Sequence, residues 1–495
     1  MPFDPPSLDY HALAPEIILT LVLSLVLVLD LFLDHSRKWL LSNVAGFGLI
    51  AAMIPILSLA LSGDDARSMV GGAYVVDNFA LVLKALFLGV GYVVLLMSTN
   101  YVEEGDYYEG EFYFLLLCSL LGMVVMSSSR DLITIFVALE TLSIPAYMLA
   151  GWRKRDLKSN EAALKYYLLG VLASAVMLYG MSLIYGFTGT TLLTEIGAQL
   201  QGSAAEAPLV TMAILFVIVG FAFKVSAVPF HAWAPDTYEG APTPVTAFLS
   251  VASKTGGFVA LLQLVFVGFF GRDDVWGPLF GILAALTMTV GNLIALRQTN
   301  IVRMLAYSSI AQAGYILVPL AVAGSNGGAA AQTAMTAAIV YLLVYAAMNL
   351  GAFAIVIAVA RKTRSGEISS YGGLYEYAPG LAVLMTIFLF SLAGIPPLAG
   401  MWAKIFVFRA VLDAGTSWAV LLGVVAAVNS VIALFYYASI AREMWMSPVP
   451  DGDKTPIRVP PALVTALAIT VAVVVGIGVY PQAFARFGDL ASLIP

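Results

Sequence analysis

An all-α polytopic membrane protein with about 14 transmembrane helices is the fold class this sequence predicts, on three observations. Of its 495 residues 61% are hydrophobic and 11% charged, with a mean hydropathy of +0.93, which does not describe a soluble surface. Apolar runs of the roughly 20 residues that cross a bilayer core recur almost without pause from Pro15 to Tyr480. The gaps between these runs leave no room for a soluble domain.

Helices are expected at roughly 15–34, 39–61, 76–97, 112–128, 131–151, 160–187 and 208–235, then at 242–269, 275–296, 301–323, 333–360, 378–412, 417–444 and 459–480. Helices 1–3 form an N-terminal unit, 1–111. Its first residues, MPFDPPSLDYHALAPE, lack a basic stretch and a small-residue cleavage site, so the first run reads as a permanent helix. Gly89-Val90-Gly91 in helix 3 lacks the third glycine of a nucleotide-binding turn and reads as helix packing. Only Ser127 to Arg130 separates helices 4 and 5.

Helix 7 contains Pro229, which cannot donate to the carbonyl of Val225 and crowds it, so a break is expected beside Lys224. Helix 12 contains Ala393-Gly394-Ile395-Pro396-Pro397, with Gly400 one turn later and Lys404 in its second half. Paired broken helices in corresponding places suggest transporter repeats. These two lie five spans apart, and because five is odd, a tandem five-helix unit must point the opposite way through the membrane. Two inverted five-helix repeats follow, helices 4–8 (112–270) and 9–13 (271–444), with helix 14 in a C-terminal segment, 445–495.

The net charge of −6 is spread over short loops with no basic arm, which excludes nucleic acid as a partner. Cys118 is the only cysteine, so disulfides, zinc ribbons and iron–sulfur ligation are excluded by count. Assigning Lys and Arg to alternate loops gives 14 on one side, including Arg37, Arg153, Arg303, Arg361 and Arg458. The other side holds five, Arg67, Arg130, Arg272, Arg409 and Arg486. The positive-inside rule then puts both termini on the outer, periplasmic face of an inner (plasma) membrane. The acidic inner loop EEGDYYEGE counts little in that rule and is also open to reading as a docking surface.

Five lysines remain inside predicted helices: Lys84, Lys165, Lys224, Lys254 and Lys404. A lysine near the helix centre costs about 2.5–3.5 kcal/mol to insert, so such residues face a protein interior or a watery cavity and mark function. Glu140 is the clearest buried carboxylate. Lys84 lies some two turns into its helix and reads as snorkelling, while Lys165 is open to either reading. Asp30 and Glu16 read as interfacial, and His231, just after the break, either relays protons or bonds freed carbonyls. Lysine suits proton transfer because desolvation brings its release and uptake toward neutral pH, and a mobile carboxylate alters that balance. Tyr341, Tyr345 and Asn349 share one face of helix 11, opposite Ser308, Ser309, Gln312 and Tyr315 of helix 10. They either hold a chain of waters or glue helices together.

The stretch FKVSAVPFHAWAPDTYEGAPTPVTAFLSVASK, Phe223 to Lys254, resembles the signature of the antiporter-like subunits of respiratory complex I and of Mrp-type cation/proton antiporters. With GLYEYAP and SLAGIPPLAGMWAKIFVF around helix 12, the chain is most similar to the subunit N family of proton-translocating NADH:quinone oxidoreductase. The resemblance runs through all the predicted helices. It implies a fold of two inverted repeats with broken helices 7 and 12, and a proton path through Glu140, Lys224, Lys254 and Lys404. Lys165 also matches a family lysine. Sibling subunit M usually has glutamate at the Lys404 position, and sibling subunit L is longer. Those siblings carry histidines on helices 10 and 11, whereas here the histidines are His11, His35 and His231. The histidine-free centre and the form YEGAPTPVTAFLSV disfavour the alternative, a sodium/proton antiporter subunit of Mrp type. The resemblance further implies no cofactor in this chain, FMN and iron–sulfur clusters in partner subunits, and an assembly with subunit M and the small membrane subunits in the bilayer.

Overall fold

The computed structural model describes residues 8–63, 65–105, 109–201, 207–325 and 328–493; residues 1–7 and 106–108, which include parts of the N-terminal and acidic-loop segments read above, lie outside them. Helix α1 (Ala14–Phe32) and α2 (Trp39–Ser62) form a hairpin, followed by a two-stranded antiparallel ribbon of β1 (Arg67–Met69) and β2 (Tyr74–Val76), with Arg67 opposite Val76. Next come α3 (Asn78–Glu104), α4 (Glu109–Ser128), α5 (Leu132–Ala150), α6 (Leu157–Thr188) and the short α7 (Leu193–Gln199). The seventh predicted span is two helices, α8 (Pro208–Lys224) and α9 (Trp233–Gly240). The eighth begins as α10 (Thr243–Phe248), passes through a π-helical turn (Leu249–Ser253) into α11 (Lys254–Gln263), and ends in a second π stretch (Leu264–Gly268).

Helices α12 (Asp273–Ala295), α13 (Ile301–Val322) and α14 (Gly328–Thr363) follow, then the short α15 (Leu374–Tyr377). The twelfth predicted span is again two helices, α16 (Pro379–Ala393) and α17 (Ala399–Ala414). The chain closes with α18 (Ser417–Met446), α19 (Pro461–Val479) and α20 (Pro481–Leu490). Among the described residues, 12 helices are long and apolar enough to cross a membrane, and the two broken spans supply shorter apolar halves.

Local chemistry sets the boundaries. Asp77, Asp131, Asp156 and Asn300 cap α3, α5, α6 and α13 by accepting from backbone N–H groups of the first turn. Proline opens α1, α8, α16, α19 and α20, where its missing N–H costs nothing. The narrow division between α4 and α5 is fixed by Asp131 and by Arg130, whose backbone N–H donates to Ala73 and whose side chain pairs with Asp77 at 2.7 Å.

Two ends of the bundle are recognisable from contacts. The ribbon end carries β1 and β2, Arg130 and α7, with Asp489 of α20 accepting from Thr336 near the start of α14. The opposite, basic end gathers Arg303, Arg361, Lys362 and Lys454, paired respectively with Asp236 and Glu239, Glu104, Asp453, and Glu376. The span from Thr243 to Gly268 is wholly buried and α13 and α14 nearly so, whereas α1, α6 and α18 turn most of their surface outward. These three inner elements carry the buried polar residues Lys254, Ser309, Gln312 and Asn349.

Candidate functional site

Both broken helices stop in the same way. After α8 ends at Lys224, Ser226 takes a left-handed conformation (φ 60°), its N–H donates to Phe223 O at 3.0 Å, and Ala227 N–H donates to Ala222 O at 2.8 Å. After α16 ends at Ala393, Gly394 does likewise (φ 91°), its N–H donating to Ser391 O at 2.9 Å and Ile395 N–H to Phe390 O at 3.0 Å. This paired pattern is the Schellman cap, with a proline following where the helix cannot continue. The Trp233 indole takes the carbonyl of Phe223 at 3.1 Å, and Thr287 Oγ1 accepts from Val228 N–H at 2.9 Å, so the break is satisfied by side chains.

Lys224 is buried at the first break. Its ammonium donates to Ser143 Oγ at 2.8 Å and to Tyr166 OH at 3.3 Å, and lies over the rings of Tyr147 and Tyr166. Glu140 stands one turn before Ser143 on α5, and its Oε1 accepts from Ser174 Oγ of α6 at 2.6 Å. Ser143, Ser174 and Lys224 line one small cavity of about 10 Å³, about the room one water needs. Glu140 itself is half-buried rather than deep, because α5 turns that face toward the flank of the bundle. It is not within ion-pair distance of Lys224; the two serines stand between them.

Tyr166 is the next link. Fully buried and stacked on Trp233 with ring centroids 4.4 Å apart, it also contacts Ser253 Oγ at 3.4 Å, next to Lys254. Lys254 donates to the carbonyl and the hydroxyl of Ser309 at 2.8 and 2.9 Å. The π turn before it presents Ser250 to α14, where Asn349 donates to its hydroxyl at 2.8 Å and Tyr345 to its carbonyl at 3.2 Å. Such turns insert an extra residue and concentrate at functional positions.

On the far side, Ser308 contacts Tyr437 OH at 2.5 Å, Gln312 Nε2 donates to Tyr437 OH at 3.3 Å, and Tyr341 donates to Gln312 Oε1. The same amide donates to the carbonyl of Leu392 at 3.1 Å, and Lys404 Nζ donates to the next carbonyl, that of Ala393, at 2.6 Å. The break thus frees two successive carbonyls at the end of α16, one for the central amide and one for the lysine. Lys404 also lies 4.9 Å from the centroid of Tyr315, which stacks on Tyr341. One buried polar row therefore joins Lys224, Lys254 and Lys404. Tyr166, Ser253 and Tyr437 were missed in the sequence, since a neutral hydroxyl in an apolar run carries no insertion cost large enough to single it out.

Four residues singled out in the sequence lie off this row. Lys165 lies outside the row: its side chain is 40% exposed and paired with Glu161 at 2.6 Å and Asp236 at 2.7 Å, in a basic-end network with Arg303 and Glu239. His231 sits half-buried in the loop between α8 and α9. Lys84 does not snorkel and Glu16 is not interfacial. Lys84 is fully buried and pairs with Glu16 at 2.7 Å, and Tyr74 OH donates to the same carboxylate oxygen at 2.6 Å. The close approach of α1 and the ribbon to α3 encloses a charge that the sequence places near a helix end.

The family model described as NADH:quinone oxidoreductase/Mrp antiporter, TM, matches residues 129–430, which take in both breaks and all three lysines of the row. The chain belongs to this family. Among its members, NADH-quinone oxidoreductase subunit N of Moorella thermoacetica is 40% identical over 480 residues, 97% of each chain. A chain of respiratory complex I from Thermus thermophilus, solved with bound aureothin, superposes with a TM-score of 0.76 at 32% identity, covering 95% of this chain and 98% of that one. A chain of the Mrp complex from Dietzia sp. DQ12-45-1b superposes with a TM-score of 0.83, covering 98% and 97%, and at 22% identity it shows the shared fold alone.

Proposed function

We propose that this chain is the subunit-N-type component of the membrane arm of a proton-translocating NADH:quinone oxidoreductase. It moves protons while partner subunits pass electrons from NADH to quinone. The observation that carries the reading is the buried row from Lys224 through Lys254 to Lys404, bridged by hydroxyls and amides, in a chain about 40% identical over nearly its full length to relatives named subunit N. An Mrp-type antiporter reading is weaker, because the likeness to the Mrp complex stops at the fold.

In this reading a proton passes between Lys224 and Lys254 by way of Tyr166 and Ser253. It continues to Lys404 through water ordered by Ser309, Tyr437, Gln312 and Tyr341. Glu140 acts on Lys224 through Ser174 and Ser143, so a shift of the carboxylate changes how well the ammonium is held. FMN and iron–sulfur clusters belong to partner subunits, and subunit M and the small membrane subunits are separate neighbours of this chain in the membrane. The basic end faces the cytoplasm and both termini the outer side. The matching Schellman caps support two inverted repeats, 112–270 and 271–444.

The test is proton translocation by inverted vesicles or proteoliposomes containing the assembled complex, normalised to electron transfer. Lys404→Ala is expected to assemble and to lower the protons moved per electron. Lys404→Arg is expected to fail too, because arginine, with a pKa above about 12, keeps its proton. Unchanged stoichiometry in Lys404→Ala makes this lysine structural and sends the path elsewhere.

A further inference from the structure

A groove of about 560 Å³ opens between helices far apart in sequence: α2, α3, α14, α19 and α20. On α3 its lining runs from Asn78 to Val93, 15 residues or about 22 Å of helix. Half of a bilayer with its headgroups is about 20–22 Å. The lining on α14, Leu343 to Leu350, lies at the groove's deep end, because α14 also starts at the ribbon end. The groove therefore reaches from one membrane face to the bilayer middle and stops.

Its polarity changes with depth. The deep walls are aliphatic, and the hydroxyl of Thr470 is already spent on the carbonyl of Ala466. At the shallow end stand Asn78 and Arg486, the one charged residue in the lining. Arg486 is exposed on α20, whose Phe484 and Phe487 turn into the groove, and it forms no ion pair among the described residues. A cation at the headgroup level above an apolar slot one leaflet deep matches an acidic phospholipid: phosphate on the guanidinium, one acyl chain along α3. A helix of a neighbouring subunit fits less well, since it needs a groove of full bilayer height.

From this geometry we infer that the groove is a binding site for a single acidic phospholipid, held by Arg486 and backed by α14, the helix that carries Tyr341, Tyr345 and Asn349.

Gly89 offers a clean way to fill the site: it lines the groove, and a Cβ built there meets nothing within 4 Å. The assembled complex, extracted in mild detergent, is washed with equal phosphatidylglycerol and phosphatidylcholine, and the retained lipid is quantified by mass spectrometry. The unmodified complex is expected to retain more phosphatidylglycerol than Gly89→Leu. Arg486→Gln is expected to lose the preference for phosphatidylglycerol over phosphatidylcholine by about fivefold. Electron transfer by both variants serves as the check on assembly. Equal retention and equal preference in all three complexes overturns the site, and so does a cross-link from Leu86 to a partner protein.

Discussion

Lys224, Lys254 and Lys404 face neutral oxygens, whereas Lys84 faces a carboxylate. That contrast separates the two kinds of buried lysine in this molecule. An ammonium among hydroxyls and carbonyls is solvated without being neutralised, which suits a carrier; an ammonium paired with Glu16 is half of a fixed contact. Breaking a buried pair leaves an uncompensated charge at a cost of about 3–5 kcal/mol, while replacing the whole set by apolar residues is often neutral. Lys84→Met is accordingly expected to lower thermal stability in detergent, and the triple variant Lys84→Met/Glu16→Leu/Tyr74→Phe to recover it. Ser174 tests the other end of the row. Its single hydrogen bond to the Glu140 carboxylate is worth about 1.5–3 kcal/mol, a small part of the bundle's packing, so Ser174→Ala is expected to leave assembly intact. It should lower proton stoichiometry in the same direction as Glu140→Gln. If Ser174→Ala pumps normally, the carboxylate reaches Lys224 by another route.

Helices and breaks were largely legible in the sequence because hydropathy and proline act through local chemistry. The divisions at Lys224 and Ala393 follow from Pro229 and from Gly394-Ile395-Pro396-Pro397, and Lys404 stood out by the cost of inserting it. What escaped needs a partner to be seen. The π turn at Leu249–Ser253 is held by hydrogen bonds from α14, and Tyr166 matters because Lys224 and Ser253 lie across from it. The ribbon and α20 are too short for a hydropathy window. The second break carries its own prediction: a Cβ at Gly400 would sit 1.7 Å from the carbonyl oxygen of Ser391, so the two half-helices approach at a distance only glycine allows. Gly400→Ala is expected to cost 3 kcal/mol or more, estimated from the roughly 1–3 kcal/mol of ordinary overpacking. The measured sign would be loss of the subunit from purified complexes. Wild-type yield from this variant would show that the half-helices separate easily.

Over the whole chain, the proposed chemistry is charge movement. Cys118 is a lone thiol, and the purified subunit is expected to carry neither flavin nor iron in stoichiometric amount; either one found by absorbance or metal analysis would contradict this. The depth of the lysine row has an electrical meaning. Lys254 lies 11 residues, about 16 Å, from the basic-end start of its span, and Lys404 lies 10 residues, about 15 Å, from the ribbon-end finish of α17. In a core about 30 Å thick these are the same level. A charge crossing the full potential does work of about 2.3 kcal/mol per 100 mV, and a charge moving sideways at constant depth does almost none. Along the proposed path the voltage is therefore felt where a proton would enter near Lys224 and leave near Lys404, while the middle of the row is a horizontal wire at one potential. Gln312→Leu is expected to slow pumping equally at every imposed voltage, whereas Lys404→Ala should change how steeply the rate depends on it.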